Sequence, residues 1–144
     1  MSKRSTSEAP RTTTVGAIDP EVLAFTAGKD VQLDRALVEV DCLGTAAHVT
    51  MLSRMRVRPP VLTPKEAARV RAELGAIVEA ARAGRFEITL EDQDVHLAVE
   101  RTLTAALGDL GKKVHTARSR NDQVALDLRL YARNELLRAL EETS

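Results

Sequence analysis

Eight consecutive residues carry most of the chain's chemistry: His115, Thr116, Ala117, Arg118, Ser119, Arg120, Asn121 and Asp122. Two guanidiniums, an imidazole, two hydroxyls and an amide stand immediately ahead of a stretch with helical apolar spacing. Paired arginines suit bidentate binding of carboxylates or phosphates. A helix start adds unpaired N–H groups and positive dipole potential. Together they suit a small dianion or a tricarboxylate. The same residues also make an ordinary solvated basic turn capped by Asn121 or Asp122, and spacing alone leaves both readings open.

A second constellation runs from Glu91 through Asp92, Gln93, Asp94 and His96 to Glu100. Wound as a helix, Gln93, His96 and Glu100 share one stripe, and the acidic residues suit the positive helix start. His96 then faces a pocket, tuned by neighbouring carboxylates, or forms a plain structural pair with Glu100. In a third group, Asp34, Asp41 and His48 recur every seven residues, a register that usually marks a solvated face. The three histidines are far apart and no ligand pair has zinc-motif spacing, so no metal and no cofactor is expected. Cys42 is the single cysteine. It reads as a small core residue, excludes an intrachain disulfide and fits a reducing cytoplasm.

The elements that must position these groups are helical. Among 144 residues only Phe25, Phe86 and Tyr131 are aromatic, and 44% are hydrophobic. A core of Ala, Val, Leu, Ile and Met favours helix-on-helix packing over aromatic-rich sandwiches and barrels. Twenty-one basic residues balance twenty-one acidic ones, so charge-driven binding to nucleic acid or anionic lipid is not expected. No apolar run approaches a membrane span. Residues 1–18 read as a flexible Ser/Thr-rich tail, with a transit peptide as the alternative.

Asp19 and Pro20 open a short helix that Gly28 ends. Steps of three and four then link Leu33, Leu37, Val40, Gly44, Ala47, Met51, Leu52 and Met55, predicting one helix from Asp30 to Met55. Pro59 and Pro60 follow that break. Thr63, Pro64 and Glu66 form a capping-box start, with Ala67, Val70, Leu74, Ile77, Val78 and Ala81 inward and Gly84 as the stop. Residues 86–89 read as a loop. A helix from Glu91 to Leu107 buries Val95, Val99, Leu103 and Leu107. A last helix starts near Asn121 or Asp122, with Val124, Leu128, Tyr131, Leu137 and Leu140 as its stripe, and reaches Glu142 without Gly or Pro, as if continuing.

In order, these segments resemble the amino-terminal part of the argininosuccinate lyases, within the fumarase/aspartase superfamily. The resemblance runs from Phe25 onward through Leu33-Asp34, Asp41 to His48, and Asp94-Val95-His96 with Glu100, like the family's D-x-H-x-x-x-E helix. The most specific stretch is Gly111-Lys112-Lys113-Val114-His115-Thr116-Ala117-Arg118-Ser119-Arg120-Asn121-Asp122-Gln123, similar to the signature G-K-K-x-H-T-G-R-S-R-N-D-Q. It implies an all-α fold: a tail at 1–18, the amino-terminal helical domain at 19–118, and the start of a long central-bundle helix at 119–144.

The resemblance further implies β-elimination of argininosuccinate to arginine and fumarate, in arginine biosynthesis, by a cytoplasmic homotetramer. Ser119, Arg120 and Asn121 would hold substrate carboxylates, Arg118 would support their loop, and Asp94 and His96 would line the same cleft. An aci-carboxylate intermediate needs such preorganised cations and N–H donors. No catalytic residue is expected in these residues. The family's Thr-His segment and its Gly-Ser-Ser loop with the proton-abstracting serine have no counterpart here, so the chain alone should be inactive without a complementing fragment. Two departures stand out: Ala117 replaces the family's usual Gly, and Asp30 stands where many members carry a substrate-contacting Ser. Two alternatives remain at this point: a non-catalytic helical interaction module, and a sister lyase acting on adenylosuccinate.

Overall fold

The computed structural model describes residues 19–144; the tail expected at 1–18 lies outside the described residues. All regular structure among the described residues is helical, as expected. In chain order it comprises α1 (Pro20–Ala27), α2 (Asp30–Leu33), a 3-10 turn (Asp34–Leu37), α3 (Val38–Arg54), α4 (Pro64–Arg82), α5 (Val95–Leu107), α6 (Asp109–Lys112), a second 3-10 turn (Lys113–His115) and α7 (Arg120–Glu142).

Local signals in the sequence set most of these boundaries. The Asp19 carboxylate accepts the Glu21 N–H at 2.8 Å, and Gly28 ends α1 at φ 48°. The Thr63–Glu66 capping box is complete in both directions. Around α3, the core joins Val38, Cys42, Val49 and Leu52 to Val70, Leu74 and Ile77 of α4 and to Val95, Val99 and Leu103 of α5. Leu62 and Ile88, from the two connecting loops, are buried at its ends. Burying such a side chain is worth about 1.5–3 kcal/mol.

Several expectations are corrected. The single helix expected over 30–55 is interrupted by the tighter turn at Asp34–Leu37, where the Asp34 carboxylate accepts the Val95 N–H at 3.0 Å. The buried face of α3 is rotated accordingly. Asp41, Cys42, Thr45 and Val49 are buried, whereas Leu33, Ala47, Met51 and Met55 are exposed. The heptad of Asp34, Asp41 and His48 is therefore not a solvated face.

The helix expected from Glu91 begins instead at Val95, because Gln93 has φ 66° and cannot continue a right-handed helix. Asp92 closes the preceding turn by accepting the N–H and hydroxyl of Thr89, and it takes two bonds from Arg101 at 2.7 and 2.9 Å. Burial opposes its charge, yet the Arg101 guanidinium and the Thr89 donors hold its carboxyl below the usual range. No helical stripe joins Gln93 to His96. Finally, α7 starts earlier than expected, at Arg120: Ser119 is the cap, and Asp122 completes its capping box.

The short α6 explains the Gly111-Lys112-Lys113 run. A Cβ on Gly111 would lie 2.5 Å from the Leu103 carbonyl oxygen, so only glycine lets α6 lie against the backbone of α5. That contact fixes the path of residues 113–119 back towards α3. His48 Nε2 then donates to the Thr116 carbonyl at 2.9 Å.

Candidate functional site

Three helices and one loop converge on a buried polar cluster. Asp41 comes from the first turn of α3, His96 from the first turn of α5, and Asp127 from the second turn of α7. Their side chains are sealed to within a few per cent. His96 Nδ1 donates to Asp41 Oδ1 at 2.8 Å and stands 3.7 Å from Asp127 Oδ2. Arg118 reaches in from the loop, donating from Nη2 to Thr45 Oγ1 at 3.0 Å. Asp41 Oδ2, Asp127 Oδ2, Gln123 Oε1 and Arg118 Nε are buried without a hydrogen-bond partner.

Electrostatics follow from this burial. Desolvation pushes the Asp127 carboxyl up to about 7, and the neighbouring Asp41 adds to the shift. Desolvation also lowers Arg118, against the pull of Asp41 and Asp127. The Asp34 carboxyl is raised by burial despite its bond from Val95 N–H. Burial likewise lowers His48, outweighing its bond to Thr116.

Beside this cluster lies the start of α7. Arg120, half-buried, donates from Nη1 to Asp94 Oδ1 at 2.9 Å, and the same Asp94 oxygen caps α5 by accepting the Leu97 N–H at 2.8 Å. One ion pair thus ties two helix starts together. Ser119 Oγ donates to Asp122 Oδ2 at 2.9 Å and accepts the Asp122 N–H at 3.3 Å. Asn121 is exposed in the first turn. At a helix start the first N–H groups have no intrahelical acceptor, so those of Arg120 and Asn121 point outward beside the Arg120 side chain. Such a surface can bind a carboxylate.

All six residues singled out from the sequence, Asp94, His96, Arg118, Ser119, Arg120 and Asn121, thus lie at the meeting of the α5 and α7 starts. They fall into two layers, with His96 and Arg118 inward and the other four around the rim. The expected link between His96 and Glu100 is replaced by one between His96 and Asp41. Sequence reasoning read Asp41 as part of a solvated face, gave Gln123 no role beyond its place in the signature, and missed Asp127. Gln123 and Asp127 are four residues apart, so they share a face of α7, and that polar face is the one this helix buries. Asp41, His96 and Asp127 also bring three ligand-type atoms within 4.8 Å of one another, although Arg118 among them already supplies a positive charge.

The architecture is a long polar-faced helix docked on an aliphatic helical unit, with Arg118 and Arg120 at the joint. Residues 25–143 match the lyase family, and the chain belongs to that family. The argininosuccinate lyase of Parabacteroides distasonis is 45% identical over 127 residues, covering 88% of this chain and 28% of that protein. That of Rippkaea orientalis is 41% identical over 121 residues, 84% of this chain and 25% of its own length. That of Thiobacillus denitrificans is 46% identical over 110 residues, 76% and 23% respectively. The chain spans about a quarter of the length of the curated relatives it matches.

Proposed function

We propose that these residues form the amino-terminal strip of an argininosuccinate lyase site, which releases fumarate from argininosuccinate by β-elimination. The observation that carries this reading is the joint between α5 and α7, where the Arg120–Asp94 pair at 2.9 Å ties the start of α7 to the start of α5, whose first turn carries His96. In this reading Arg120, Asn121 and Ser119 receive substrate carboxylates, with the Ser119 hydroxyl turning from Asp122 to the ligand. Arg118 braces the loop through Thr45, and Asp94 and His96 line the cleft. Residues 19–118 form the amino-terminal domain and 119–144 begin the central bundle.

One further feature supports the bundle. No described helix is long and apolar enough to cross a membrane, yet α7 exposes Val124, Leu128, Leu137 and Leu140. Such a stripe suits packing against other helices, as in the homotetramer that the family resemblance implies.

On its own the chain binds anions without turnover, because the base is supplied elsewhere. Mixing it with a fragment carrying the rest of an argininosuccinate lyase tests this: fumarate release is expected from the mixture and not from either part. Turnover by the chain alone, or a mixture that associates and stays inactive, refutes the reading. Association without activity favours the helical interaction module.

A further inference from the structure

We propose that Asp127 is a positioning residue for His96: it carries a proton that it donates to Asp41, and the carboxylate oxygen left to Asp41 accepts from His96 Nδ1, fixing the tautomer with hydrogen on Nδ1 and a lone pair on Nε2. The inference deepens the cleft reading and rests on it for its consequence at the substrate. The geometry behind it stands separately.

Four sealed polar atoms lack partners, and two of them are Asp41 Oδ2 and Asp127 Oδ2. A sealed carboxylate oxygen without a donor costs its full desolvation. The one ring N–H in reach, on Nδ1, is committed to Asp41 Oδ1 at 2.8 Å and is too far from Asp127 Oδ2, at 3.7 Å, to serve both. A proton between the two carboxyls gives one of these oxygens a donor and makes the other into one. A proton on Nε2 would serve neither oxygen, since both carboxyls lie on the Nδ1 side of the ring. Two like charges sharing a dry site cannot both ionise without penalty.

The surrounding charges agree. Facing the cluster are Asp34 from the turn ahead of α3, Asp41 and Cys42 from α3, Asp94 and His96 from α5, Arg118 and Arg120 around the α7 start, and Asp127 itself. Arg120 is paired with Asp94. Arg118 then sets one positive charge against the one negative charge of a singly protonated Asp41–Asp127 pair, whereas two ionised carboxyls would leave an excess of negative charge beside Asp34. Burial, which pushes the Asp127 carboxyl up to about 7, favours the same arrangement.

For the site, the consequence is specific. With its lone pair on Nε2, His96 accepts a hydrogen bond from an N–H or O–H of the ligand and repels a carboxylate. Carboxylates are left to Arg120 and the first-turn N–H groups of α7. One face of the cleft therefore selects the nitrogen-bearing part of the substrate and the other its acid groups.

Nitrogen NMR of the whole chain, labelled in histidine, reads the protonation of both ring atoms of His96, and carbon NMR reads the Asp127 carboxyl. Below the Asp127 value of about 7 the expected result is a protonated Nδ1, a bare Nε2 and an un-ionised Asp127. A doubly protonated His96, hydrogen on Nε2 alone, or an ionised Asp127 overturns the proposal, and these readings need no variant to fold. D127N should keep the wild-type tautomer and lose the change in His96 signals as pH passes through about 7, whereas D127A should lose the tautomer. A D127N protein that retains that pH response counts against the proposal. Fumarate added to the same sample tests the cleft separately. Without shifts at Arg120 and Asn121 the cleft reading fails, while the His96 result still decides the positioning role.

Discussion

Where α3 meets α4 and α5, the sealed side chains are Val49, Leu52, Val70, Leu74, Val99 and Leu103; where α3 meets α7, the residues that α7 itself buries are Gln123 and Asp127. The first contact is dry and aliphatic. The second is polar, incompletely hydrogen-bonded and backed by Arg118 and His96. Hydrophobic burial is indifferent to pH and to the fine placement of atoms. A polar seam holds only in the right protonation state and geometry, and an under-satisfied one is costly. The aliphatic unit is thus a scaffold, and α7 is docked on it by the same groups that make the candidate site.

The aliphatic core and the open face of α7 should respond very differently to truncation. Leu103 is fully buried, and Leu103→Ala should cost about 3–5 kcal/mol through lost transfer energy and an unfilled cavity. Leu128, on the open face of α7, is 52% exposed, and Leu128→Ala should change stability by less than about 0.5 kcal/mol. Urea midpoints of the two variants measure both. Equal losses would mean that the exposed stripe of α7 is packed as tightly as the aliphatic core.

The polar seam should answer to pH where the dry one does not. Asp127 has a folded value near 7 against 3.8 unfolded, so between these values the folded chain holds more protons than the unfolded one. Stability then falls as pH rises, starting near the unfolded value and ending just above the folded one. A tenfold difference in proton affinity between the two states is worth about 1.4 kcal/mol, which puts the loss on the order of 2–4 kcal/mol. Asp127→Asn should flatten that stretch of the stability profile and leave the variant more stable than the parent at alkaline pH. A parent profile that is flat or rising over the same range would show that α7 is not docked through a protonated carboxyl.

A smaller effect separates the seams by place. A Cβ on Gly44 would sit 2.8 Å from Leu126 Cδ2 and 3.6 Å from Asp127 Oδ1, so α7 approaches α3 over a glycine. The clash is with the end of a flexible side chain, and alanine gains about 1 kcal/mol of helix propensity that partly offsets it. Gly44→Ala should cost about 1 kcal/mol net. Amide exchange should quicken around residues 123–127 and stay unchanged around Leu103. Uniform quickening would mean that the chain opens as one unit.

The scaffold was legible in the sequence because its signals are local or periodic: Asp19, the Thr63–Glu66 box, Gly84, and the stripes of α4 and α5. The rim of the candidate site was legible as well, since Arg118 to Asn121 are contiguous and Asp94 to His96 nearly so. The inner layer was not. Asp41 and Asp127 lie far apart in the sequence and meet only because α7 folds back onto α3. Periodicity also misled there, because burial at that seam is polar: apolar Leu128 faces outward while Gln123 and Asp127 face in. The turn at Asp34–Leu37 depends on a bond to Val95 N–H, far along the chain, and no local pattern announces it.

The smallest effect has the opposite sign. Ala117 sits at φ 57°, the left-handed region that costs a residue with a Cβ about 1–2 kcal/mol, in the turn that delivers Arg118 to Thr45 and Ser119 to the α7 cap. The family signature usually has glycine there, and the observed backbone shows why: the turn needs that conformation whichever residue fills it. Here the turn keeps its shape without glycine's freedom, so the polar seam and the His48–Thr116 bond must hold the strain. Ala117→Gly relieves it but also frees the unfolded chain, which returns roughly 0.4–1 kcal/mol. The net should be a gain of up to about 1 kcal/mol, read as a rise in thermal midpoint with the Arg118–Thr45 and Arg120–Asp94 contacts preserved. Beside the loss expected for Gly44→Ala, this gain would show that α7 docking is limited by close approach at one end and by backbone strain at the other. A lower midpoint for Ala117→Gly would instead mean that alanine's stiffness helps hold Arg118 in place.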